Sequence, residues 1–154
     1  MKNSDSVILY TEDNGNLVVV VPADNCDLTV EQIQAKDIPS GKPSYIVSRS
    51  KVPTDRSFRW AWKLNGSAIE TDMTKAKEIH KENIRRARIS KLAELDIDFQ
   101  RALETSADTT AIVSKKQALR DAPSDSAIDS ATTETELKSQ WNTSILGASP
   151  YSDK

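Results

Sequence analysis

Between Asp72 and Glu104 the chain runs for about thirty residues, DMTKAKEIHKENIRRARISKLAELDIDFQRALE, without a glycine or a proline. No other feature constrains the fold as strongly. The run is rich in Ala, Leu, Lys, Arg and Glu, the best helix formers, and predicts one long helix. At a rise of about 1.5 Å per residue such a helix spans roughly 50 Å, more than a small domain needs to cover its own core. Thr71 or Asp72 is placed to cap its start, and the polar Thr105, Ser106 and Asp108 follow its end.

The two halves of this helix differ. From Ile84 onward, Ile84, Leu92, Leu95, Phe99, Ala102 and Leu103 recur at helical spacings and predict one buried stripe. From Asp72 to Lys91 apolar residues are sparse, and Lys75, Lys77, Lys81, Arg85, Arg86, Arg88 and Lys91 surround the cylinder. A helix polar all round has no side to bury, so this half is expected to cross solvent or to meet a partner.

Ahead of the helix, Val7–Tyr10 and Leu17–Val21 are β-branched runs separated by a turn containing Asn14-Gly15, a hairpin signal. Thr29 with Gln32 has the capping-box pattern of a short helix. Tyr45–Val47 reads as a third strand. Phe58, Trp60 and Trp62 alternate with Arg59, Ala61 and Lys63, which predicts a half-buried fourth strand over Phe58–Leu64, closed by Asn65-Gly66. After the long helix, Ala111–Ala122 predicts a second helix capped at Thr109 or Thr110, folded back on the Leu95–Leu103 stripe. Ser124–Thr132 reads as a loop, and Thr133 with Glu136 opens a short helix carrying Leu137, with Trp141 four residues on. Met1–Asp5 is expected to fray and Gly147–Lys154 to form a loose tail. The fold class is therefore α+β. The expected segments are a β-rich module (1–66), the long helix and hairpin (67–122), and a loop, short helix and flexible tail (123–154).

Composition narrows the function. One cysteine, Cys26, excludes an internal disulfide, and with His80 the one histidine, no Cys/His metal cluster can be built. No run is apolar enough to be a signal peptide or to span a membrane, so a soluble protein made in a reducing cytoplasm is expected. Cys26 and His80 lack any local signature of a nucleophile–base pair. Asp96 and Asp98 point to different sides of a helix and cannot share a ligand. No catalytic residue, metal or cofactor is assigned. A net charge of -2 argues against a dedicated nucleic-acid binder. Two features still offer surfaces: the Phe58/Trp60/Trp62 run beside Arg56, Arg59 and Lys63, and the Lys75–Lys91 cluster. In the plainer reading they are the core of a small sheet and a solvated or partner-docking helix; in the other, a stacking platform for single strands or sugars and a phosphate-binding cluster.

The stretch ILYTEDNGNLVVVVP, LTVEQIQAKDIPSGKPSYIVSRSKVPTDRSFRWAW resembles a small domain common in tailed-bacteriophage and prophage reading frames. Arg85, Arg88, Leu92, Leu95 and Asp96, with Leu119-Arg120-Asp121 before Pro123, resemble the C-terminal part of phage tail-fibre assembly chaperones. The chain has Ile79 and His80 where those chaperones often carry a tryptophan. The resemblance implies a non-enzymatic tail-associated protein of the virion, made in the host cytoplasm, that docks to other tail or fibre subunits. It implies an assembly chaperone as the alternative. A second copy of the chain is a further candidate partner. Arg85, Arg88, Trp141 and Trp60 are the expected contact residues, because the basic half-helix and Trp141 have no evident cover within the chain.

Overall fold

A computed structural model describes residues 5–152. Residues 1–4 of the expected frayed start and 153–154 of the expected tail lie outside the described residues. The architecture is α+β, as expected: short antiparallel strands, then a long helix and several C-terminal helices. The chain divides into two compact units, one ending at Asp72 and the other beginning at Met73.

In the first unit, β1 (Ser6–Thr11) lies between β2 (Leu17–Val20) and β3 (Ser44–Ser48), antiparallel to both. Ile8 sits opposite Val20 on one side and Ile46 on the other. The predicted hairpin forms because Gly15 supplies the positive φ, 83°, that its turn requires. The predicted capping box opens α1 (Val30–Asp37), with Thr29 and Gln32 each accepting from the other's backbone N–H. Val30 and Ile33 of α1 bury Ile8, with Val20, Ile46, Cys26 and Leu28 around them. Val7 and Leu9 point to the opposite face and are also fully buried, so β1 is covered on both sides.

The fourth strand starts later than its alternation suggests. Asp55 accepts from the backbone N–H and hydroxyl of Ser57, and Ala61 N donates to Phe58 O at 2.8 Å, winding Arg59–Ala61 into a 3-10 turn. Residues three apart eclipse in such a turn, which carries Phe58 and Ala61 inward together and leaves Trp60 outside. Extended pairing begins only at β4 (Trp62–Asn65), which forms a hairpin with β5 (Ala68–Thr71) across Gly66. β5 was not expected, because one isoleucine in four residues gives no period.

The second unit is built on α2 (Met73–Glu104), 32 residues, starting directly after the expected cap. It ends in a Schellman turn with Ser106 at φ 54°, its N–H bonded to Leu103 O and that of Ala107 to Ala102 O. α3 (Thr110–Asp121) then folds back antiparallel. Lys116 pairs with Asp96 and stands over the Phe99 ring, while Leu119 and Arg120 lie beside Arg88. The expected loop over Ser124–Thr132 contains α4 (Ser126–Ser130), capped by Asp125 and anchored by the buried Ile128. α5 (Glu134–Ser139) has the predicted Thr133/Glu136 capping box, and α6 (Thr143–Leu146) follows.

The burial of α2 reverses the expectation for its basic half. Ala76, His80 and Ile84, four apart, are its fully buried residues. Their seam is narrow, and its cover comes from distant small elements that bring Leu137, Trp141, Leu146 and Tyr151 into the core. Lysines at its edge extend along the surface: Lys77 Nζ donates to Asp129 O at 2.6 Å and Lys81 Nζ to Asp129 Oδ1 at 2.8 Å. In the later half Leu92, Leu95, Phe99 and Ala102 are only half-buried, and Leu103, expected inside, is exposed.

Candidate docking surface

Of the four expected contact residues, two are occupied within the chain. Trp141 is buried. Its indole N–H donates to Gly147 O at 3.1 Å, and its ring meets those of His80 and Tyr151 edge to face. The expectation that it lacks intrachain cover is thereby corrected, and so is the loose tail, since the buried Tyr151 stacks on His80 with Oη 2.8 Å from Nδ1. Arg88 is half-buried. Its guanidinium donates to Leu119 O at 3.3 Å and Arg120 O at 2.8 Å, the carbonyls that α3 leaves unpaired at its end. That role is structural.

The other two face solvent. Arg85 and Arg86 both reach the single carboxylate of Glu82, at 3.5 and 3.4 Å, in exposed pairs of small energy. Trp60 is 64% exposed, with the Arg59 guanidinium 5.0 Å from its ring centroid. Trp62, two residues on, is instead core, with the Arg56 guanidinium 5.6 Å from its ring centroid.

The surroundings of Trp60 distinguish it. From residue 49 to 63 the chain carries Arg49, Lys51, Arg56, Arg59 and Lys63, all exposed, against Asp55 alone. None of these five cations forms an ion pair among the described residues. Val7, Val19, Val21, Val52 and Pro53 line a cleft of about 310 Å³ in the same unit, with Arg49 and Arg56 at its rim. A large aromatic, unpaired guanidinium groups and an apolar cleft are the chemistry of a protein contact. Arg49 and Lys51 join the expected Arg56, Arg59 and Lys63 here; the near absence of carboxylates over 49–63 is the signal that finds them.

The remaining candidates resolve into structure. Cys26 is half-buried against the Ile8 cluster. His80 is fully buried, and loss of water around it lowers its pKa to about 4, so its imidazole is neutral at pH 7. Asp98 pairs with Arg101 at 3.6 Å, and Asp13 with Lys42. No described helix is long and apolar enough to cross a membrane. Comparisons with protein-family models, curated proteins and solved structures found no match.

Proposed function

We propose that this chain is a non-enzymatic docking protein, and that its setting is the bacteriophage tail, as a structural subunit retained in the virion. One observation carries the docking role: Trp60 stands exposed on a segment whose cations form no ion pair among the described residues. Covering an aromatic of this size contributes on the order of 2 kcal/mol from apolar area alone. A carboxylate on the partner beside Arg56 or Arg59 sets register and rate more than affinity. The phage setting rests on the resemblance of the two halves. The alternative, an assembly chaperone, uses the same surface and releases its partner once the fibre is built.

The test is Trp60→Ala with Arg59→Glu, both exposed and outside the core. On this reading the variant folds normally yet is depleted from purified tail particles by at least about ten-fold. Unchanged incorporation rejects Trp60 as the contact.

The same Arg59–Trp60 stack supports a second reading, binding of single-stranded nucleic acid. That reading requires affinity that falls steeply with salt and is lost with Trp60→Ala. Absence of binding near physiological salt removes it.

A further inference from the structure

α1 covers one face of the three-stranded sheet, over Ile8. Val7, Leu9 and Val19 lie on the other face, because strand side chains alternate and Val19 stands opposite Leu9. There Val7, Val19 and Val21 meet Val52 and Pro53 in the cleft of about 310 Å³. Val21 is 50% exposed, so the cleft opens to solvent beside it. Ligand pockets run from about 300 to 1,000 Å³, so a cleft at the lower end admits one or two side chains rather than a cofactor.

The lining selects what can enter. Apart from Thr54 and the two arginines, its side chains are aliphatic and offer no hydrogen bond. A nucleobase or sugar seated there would leave ring nitrogens or hydroxyls without partners, a cost that an aliphatic side chain avoids. The rim selects charge. Arg49 and Arg56 are exposed and form no ion pair among the described residues, and none of the described lining residues is a carboxylate. Arg56 lies 5.6 Å from the Trp62 ring centroid, a contact that positions its charge without neutralising it. Two guanidinium groups bordering one slot favour an anion beside them, and their planar forks match the two oxygens of a carboxylate.

We propose that this cleft takes a leucine or isoleucine side chain from an acidic segment of the partner protein, with a neighbouring Asp or Glu carboxylate held by Arg49 and Arg56. This is the partner chemistry of the docking surface around Trp60, and it rests on that docking reading. The turn in which Arg59 N donates to Arg56 O at 3.1 Å joins the rim of the cleft to Trp60, so one partner segment can use both.

The test titrates the full chain with an acetylated, amidated peptide, Asp-Glu-Leu-Glu-Asp, and follows the valine methyl groups by NMR. Shifts are expected at Val19, Val21 and Val52. The same peptide with alanine for leucine should bind at least about ten-fold more weakly, because the apolar contact is lost. Lys-Lys-Leu-Lys-Lys and an octamer of thymidylate should leave these methyl groups unmoved. Arg49→Glu, at an exposed position, should weaken the acidic peptide about five-fold or more. Val21→Asp should abolish its binding by offering the arginines a carboxylate of the chain's own, with circular dichroism unchanged. Absence of shifts at about 2 mM peptide overturns the proposal. So does equal binding of the alanine or lysine peptide, or movement of the same methyl groups by thymidylate, which marks a nucleic-acid site. Particle incorporation separates this proposal from the reading it rests on. No peptide binding, with Trp60→Ala plus Arg59→Glu still depleted from particles, removes the cleft and keeps the docking surface. Peptide binding with normal incorporation of that variant removes Trp60 as the contact and keeps the site for an acidic segment.

Discussion

His80 shows how one side chain can couple a core to pH. Its Nδ1 lies 2.8 Å from Tyr151 Oη, which also accepts from Asn83 at 3.3 Å, and its Nε2 is buried without a partner among the described residues. Burial lowers its pKa from the ordinary 6.5 to about 4. Between those values the unfolded chain takes up a proton that the folded chain refuses, so stability is fully present above pH 6.5 and falls as pH drops toward 4. The loss through that window is on the order of 3 kcal/mol at about 1.4 kcal/mol per pH unit. Urea unfolding at pH 7 and pH 4.5 should show it in the native chain and not in His80→Phe; an equal slope in both would contradict the assignment. Nothing in the sequence marked His80 as core, because a histidine between lysines and glutamates reads as surface. Trp60 and Trp62 were misjudged for the opposite reason, since an alternation that predicts one shared face is broken by a turn that Asp55 sets from five residues away.

Elements whose cause is local were legible; those whose cause is distant were not. The Thr29/Gln32 and Thr133/Glu136 boxes, the Asn-Gly hairpin and the length of α2 all follow from residues within a turn of each other. Thr133→Ala should therefore cost about 1 kcal/mol of stability, read from the midpoint of thermal or urea unfolding. The role of Arg88 was not legible, because its acceptors are carbonyls some thirty residues on. Arg88→Ala should destabilise the chain by about 1.5–3 kcal/mol, as loss of a charged hydrogen bond does. A variant as stable as the native chain would return Arg88 to the surface. The seam of α2 was missed because its apolar partners are scattered over α4, α5, α6 and Tyr151, none long enough to show a period. Ile84→Ala should cost about 2–5 kcal/mol as a core truncation, whereas Ile89→Ala, at an exposed position, should be nearly neutral.

The whole chain has two units, each with its own buried core, and exposed residues on each that the core does not use. Trp60 with the cations of 49–63 belongs to the first, and the exposed Ile89 and Ile97 of α2 to the second. A chain with exposed apolar groups on both units suits a component that holds other proteins together, which is the role proposed for it in a phage tail. Quantitative mass spectrometry of purified particles from the encoding phage tests that role most directly. The protein is expected at several copies per particle, with Trp60→Ala plus Arg59→Glu reducing that number while the variant stays folded in the lysate. Its presence in the infected-cell lysate and absence from finished particles would contradict a retained structural subunit and point to the assembly chaperone instead.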